Sequence, residues 1–173
     1  METERLEGLK EGDYVKISSE RISLDALVDR VGAPEAGAIS TFSGVTRNNF
    51  EGRAVKLLEY EAYTPMAEKE MAKIVGVIHK KWDVIKVAIV HRIGAVPIGE
   101  ASIIIAISSA HRLEGLQAVH FAIDEVKAVV PVWKKEVYED GHEWKQNKEC
   151  MPRFCCHENR TPAHGDSHVD KHS

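Results

Sequence analysis

Two stretches of this chain repeat apolar residues at the spacing of an amphipathic helix, and runs rich in Val and Ile lie between them. A chain of this kind has to lay helices on a sheet, because a striped helix and a one-faced strand each need a partner layer. In the first stretch Met66, Met71, Ile74, Val75, Ile78 and Trp82 share one side. Thr64 is its expected N-cap and Pro65 its first helical residue. In the second, Leu113, Leu116, Val119, Ile123, Val126 and Val130 form the stripe, with Ser109 as the expected cap and Pro131 as the stop. Residues 84–90 and 102–108 read as buried strands, and 94–99 as the loop between them.

Shorter signals fill in the rest. Residues 14–17 read as a strand with Val15 and Ile17 on one face, and Ser23 caps a short helix to Val31 that Gly32 and Pro34 end. The uncharged run 36–42 is a candidate buried strand ending at Ser43-Gly44; 47–52 is rich in turn formers and reads as a loop. Residues 55–63 alternate as a strand with two unlike faces. Beyond Pro131, 133–138 alternates again, Asp140-Gly141 signals a tight turn, and 143–145 is the returning strand. There is no repeat, and the expected class is α+β, a mixed α/β domain.

Composition excludes several functions. All three cysteines (Cys150, Cys155, Cys156) fall in the last 24 of 173 residues. Residues 1–149 therefore hold no disulfide scaffold, no cysteine-ligated metal and no catalytic thiol. The tail adds His157, His164, His168 and His172 among Pro, Ser, Asp and Asn, with almost no periodicity. It reads as a disordered, solvated extension; a metal or redox site is the other reading, although adjacent Cys155-Cys156 suits neither a zinc knuckle nor a redox Cys-x-x-Cys. Lys and Arg number 23 against 27 Asp and Glu, a mildly acidic balance that disfavours a nucleic-acid binder. The acidic start Met1-Glu2-Thr3-Glu4-Arg5 resembles neither a signal nor a transit peptide, and the longest apolar run, 103–107, is too short to span a bilayer. An intracellular, cytosolic protein that engages no membrane is expected.

Four polar features can carry chemistry. Ser108-Ser109-Ala110-His111-Arg112 follows a buried strand and opens a helix, where free N–H groups favour an anion and Arg112 adds a bidentate grip. The plainer reading is an N-cap with two solvated side chains. Lys127 lies on the polar stripe of the second long helix with His120 and Asp124, so a surface ion pair is its plainer reading. In Val132-Trp133-Lys134-Lys135-Glu136, Lys134 and Glu136 share one strand face while Trp133, Lys135 and Val137 share the other; Trp133 is expected to pack inward. Lys127 and Lys134 can then meet, and two close ammonium groups lower at least one pKa, freeing an amine for acid–base work. Arg47 follows a strand's carboxyl end, where α/β sheets often place their sites. Together these describe a cationic pocket for a small anionic ligand.

In order and spacing, Phe42-Ser43-Gly44-Val45-Thr46-Arg47, Leu58-Glu59-Tyr60-Glu61-Ala62-Tyr63, His91-Arg92-Ile93-Gly94, Ser108-Ser109-Ala110-His111-Arg112 and Pro131-Val132-Trp133-Lys134-Lys135-Glu136 resemble the motif series of the large, catalytic subunits of molybdopterin synthase. The resemblance runs from about residue 13 to about 148 and omits the tail. It implies an α/β-hammerhead-like domain with an additional small β subdomain, and a division into an N-terminal extension (1–12), a catalytic domain (13–149) and the tail (150–173). It also implies a sulfurtransferase that turns cyclic pyranopterin monophosphate into the molybdopterin dithiolene. The sulfur would come from the Gly-Gly thiocarboxylate of a small ubiquitin-like subunit, within a heterotetramer built on a homodimer.

Carried over by position, Lys127 and Lys134 match the family's catalytic lysines. His111 and Arg112 match its phosphate-binding pair, donated across the homodimer. Arg47, Lys135 and Glu136 fall in its substrate-contacting stretches. No cofactor and no metal are implied. A non-enzymatic domain that holds an anion or a peptide tail is the alternative.

Overall fold

The computed structural model describes residues 6–138 and 141–146. Its order is β1 (Tyr14–Ser18), α1 (Leu24–Val31), β2 (Ala38–Val45), β3 (Asn49–Phe50), β4 (Arg53–Ala62), α2 (Thr64–Lys81), β5 (Val84–Arg92), β6 (Gly94–Pro97), β7 (Ala101–Ser109), α3 (Arg112–Val129), β8 (Val132–Tyr138) and β9 (Gly141–Gln146). A four-stranded sheet runs β1-β5-β7-β2, parallel only between β1 and β5. A second sheet runs β3-β4-β8-β9, with β6 also paired to β4. This is the expected mixed α+β class with its additional small β unit. The Cys/His tail and its metal reading lie outside the described residues.

The first sheet is apolar on both faces, and strand parity sorts its residues. Val87 and Ile89 of β5 and Ile103, Ile105 and Ile107 of β7 join α2 and α3 in the main core. The alternate residues Ala88, Val90, Ile104 and Ala106 pack on Leu27 and Val31 of α1. Ser23 caps α1 as the sequence suggests, its Oγ accepting from Ala26 N–H at 3.2 Å.

Several local expectations are corrected. Residues 94–99 are not all loop: Gly94–Pro97 pairs with β4 from Tyr60 to Leu57. Pro97 ends that short strand and so removes no interior ladder bond. The 47–52 loop contains β3, which turns back onto β4 through Glu51 and Gly52. Tyr63, not Thr64, is the N-cap of α2. His111 caps α3, while Ser109 is buried and its hydroxyl donates to the His111 carbonyl at 2.7 Å.

The face of α3 also differs. Leu113 and Leu116 are exposed, and Gly115, Ala118 and Ala122 take the buried side with Val119, Ile123 and Val126. The helix lies so close to the sheet that a Cβ at Gly115 would stand 2.7 Å from Ser40 Oγ and 2.8 Å from Ser109 Oγ. Large side chains do not fit that approach. It fixes α3 against β2 and β7, and so fixes where the last turn of the helix ends.

Candidate functional site

A cleft of about 830 Å³ opens between the two sheets, closed on one side by the last turns of α3. Each wall follows from strand parity. In β5 the core-facing series Val87, Ile89 continues to His91, which reaches the cleft. In β4 and β8 the cross-strand pairs Tyr60–Lys134 and Leu58–Glu136 place all four residues on the cleft wall. Lys127 enters from the last turn of α3, where a cation also complements the helix dipole. Arg47, Asn49 and Phe50 form the rim. Gly44 lies on the wall too, and a Cβ there would stand 2.8 Å from Ile103 Cγ2.

Lys127, Lys134 and Arg47, three cations proposed from three separate segments, thus meet in one cleft. Lys134 Nζ is 3.3 Å from Glu136 Oε1 and 5.8 Å from the centre of the Phe50 ring. Glu136 is 1% exposed, and its other oxygen accepts from the Tyr138 hydroxyl. The ring of Tyr138 in turn carries the Arg53 guanidinium at 3.7 Å. A buried carboxylate is tolerable only when paired and hydrogen-bonded. Glu136 meets that condition through residues two positions before and after it on the same strand face.

The structure reverses the expectation that Trp133 packs inward. Trp133 is 42% exposed, and the inward series is Val132, Lys134, Glu136, Tyr138. Lys135 therefore points to the outer side, 3.4 Å from Glu59, and does not line the cleft. His111 and Arg112 are exposed at the other end of α3, about 22 Å from Lys127 by helix rise, and do not line it either.

His91 and Tyr60 join the cleft although the polar pattern of the sequence does not mark them as site residues. Their rings meet edge-on, with centroids 5.1 Å apart. The available signal was a lone histidine ending an apolar strand. His91 is 1% exposed, and burial pushes its pKa down from 6.5 to about 4, against a smaller upward push from its bond to the Arg92 carbonyl.

This shift sets a pH dependence of stability. Unfolded, the imidazole takes up a proton near pH 6.5; folded, it stays neutral to about pH 4. Its contribution is therefore intact above pH 6.5 and is lost as the pH falls from 6.5 to 4, by about 3 kcal/mol in all. Urea unfolding of the wild type and of His91→Gln across that window is expected to show the difference between them shrinking by this amount.

The family model described as "MoaE protein" matches residues 17–129. The human molybdopterin synthase catalytic subunit is 55% identical over 142 residues, covering 82% of this chain and 76% of the human one. The chain belongs to the MoaE family. Its members include the molybdopterin synthase catalytic subunits, enzymes of molybdenum cofactor biosynthesis. A Staphylococcus aureus molybdopterin synthase structure superposes with a TM-score of 0.72 at 40% identity, over 75% of this chain and 95% of that one. A Helicobacter pylori complex of subunits 1 and 2 of molybdopterin-converting factor gives 0.63 at 20% identity, over 75% and 88%, a likeness of fold. Among the described residues of this MoaE chain, no helix is long and apolar enough to cross a membrane.

Proposed function

We propose that this chain is the sulfur-inserting subunit of a molybdopterin synthase. It would take two sulfurs from the thiocarboxylated C-terminus of a small ubiquitin-like partner and place them on cyclic pyranopterin monophosphate. The observation that carries this reading is the convergence of Lys127, Lys134 and Arg47 on one cleft, with Glu136 fixing Lys134. Transfer from a thiocarboxylate develops negative charge on oxygen and moves protons at the pterin carbons. Lys127 would act as general acid/base and oxyanion partner, and Lys134 would support it electrostatically. Arg47 would hold the substrate at the rim. Glu136, with its oxygens already engaged by Lys134 and Tyr138, and Lys135, on the outer face, would act through Lys134 rather than on the substrate.

His111 and Arg112 would bind the phosphate of the site on a second copy of the chain. Two features support that arrangement: the length of α3 keeps the pair away from its own cleft, and the exposed Leu113 and Leu116 flank it. The working assembly would be a heterotetramer of two such chains and two small subunits; the pairing with a small subunit is in keeping with the Helicobacter complex of subunits 1 and 2. We take residues 13–149 as the catalytic unit and the cytosol as its setting.

The test is to mix the chain with the thiocarboxylated partner and cyclic pyranopterin monophosphate and measure dithiolene. Retention of the ligand without turnover would favour a binding domain instead. In the same assay Arg112→Ala is expected to raise KM by about tenfold, the loss of one charge-assisted contact, with kcat little changed. An unchanged KM would remove Arg112 from the phosphate site.

A further inference from the structure

We infer that His91 recognises the substrate: its Nε2 is a fixed hydrogen-bond acceptor on the cleft wall, placed to take an N–H of a nitrogen heterocycle. The inference rests on the pterin reading of the cleft and specifies how the ring, as distinct from the phosphate, is read.

The tautomer follows from one bond. His91 Nδ1 lies 2.9 Å from the Arg92 carbonyl oxygen, which can only accept, so Nδ1 carries the hydrogen. The imidazole is neutral above about pH 4, so Nε2 keeps a free lone pair on the other side of the ring. The ring is also held in place. Tyr60 meets it edge-on, and Arg92, whose carbonyl it bonds, is tied by its guanidinium to Glu100 at 2.6 Å and to the Ala95 carbonyl at 2.8 Å.

The cleft needs such a group. Arg47, Lys127 and Lys134 can only donate. Ser43 and Glu51, which also line the cleft, are exposed to water, and the remaining polar side chains have internal bonds. Glu136 takes Lys134 and Tyr138, the Ser102 hydroxyl donates to the Gly44 carbonyl, and Asn49 Oδ1 accepts from Gly52 N–H. A heterocycle with ring N–H groups, pressed among cations, has donors to satisfy, and His91 offers a neutral acceptor. Apolar packing does not ask for a histidine here, since the same parity in β5 is filled by Val87 and Ile89. A buried imidazole in their place costs desolvation.

The experiment uses the full chain and cyclic pyranopterin monophosphate. Asparagine reproduces the Nδ1 donor and loses the Nε2 position; glutamine reaches the Nε2 position. Kd by calorimetry is expected to weaken about tenfold in His91→Asn and to return to within about threefold of wild type in His91→Gln. Nitrogen-15 NMR of the wild type needs no variant to fold. The unprotonated Nε2 resonance should move upfield when the ligand donates to it. An Nε2 resonance indifferent to bound ligand, or an unchanged Kd in His91→Asn, overturns the inference while leaving the pterin reading standing. Failure of the wild type to bind the ligand at all overturns both.

Discussion

Replacing Lys127 by alanine is expected to slow dithiolene formation by about 10²- to 10⁴-fold, the usual worth of a positioned acid–base or oxyanion group. The fold should hardly notice. Lys127 sits half-buried in the last turn of α3, alanine is the better helix former, and the dipole complement it gives up is about 0.3–1 kcal/mol. The measurement is single-turnover dithiolene formation with pure thiocarboxylated partner, beside a thermal melt. A second variant separates the two roles proposed for this residue. Lys127→Arg keeps the cation but cannot give up its proton at neutral pH. Recovery in Lys127→Arg would make the contribution electrostatic, whereas continued loss would make it proton transfer. Near-normal turnover by Lys127→Ala would remove the residue from the chemistry altogether.

Much of this arrangement is legible in the sequence, and where it is not, the reason is usually local. The strands around 84–90 and 102–108 declare themselves by β-branched content, yet both of their faces are apolar. Nothing in the pattern therefore says which parity turns toward α1 and which toward the cleft, and His91 could not be placed. In α3 the wide stripe pointed to Leu113 and Leu116, but the helix buries its small side. Hydrophobicity ranks residues by what they gain from burial; it does not register how closely two backbones approach. The two leucines left outside lie beside His111 and Arg112, where the proposed second copy would sit.

In β8 the same ranking favoured Trp133 over a lysine and a glutamate. A strand bordering a polar cleft inverts that choice, because the cleft keeps part of the inward face in contact with water and the charges compensate one another. The spacing Lys134, Glu136, Tyr138 was the signal: a cation, an anion and a hydroxyl two residues apart share one face and can satisfy each other.

That compensation makes Glu136 the cleft residue whose charge matters most to the fold. Glu136→Ala takes this carboxylate away from the Lys134 ammonium, whose side chain is only 13% exposed, and takes one acceptor away from the Tyr138 hydroxyl. Breaking one side of a buried pair costs about 3–5 kcal/mol. For a domain of this size that lowers Tm by roughly 10 °C, and turnover should fall as well, since Lys134 is no longer held. Stability and function come apart in the double variant Lys134→Met/Glu136→Leu. Removing both charges together spares the penalty of an isolated one, so most of the lost Tm should return. Activity should not return, because the second cation is gone from the cleft. A double variant as unstable as Glu136→Ala would show that the pair is not what Glu136 contributes. A double variant that is both stable and active would show that Lys134 is dispensable, and with it the reason for burying a glutamate beneath the cleft.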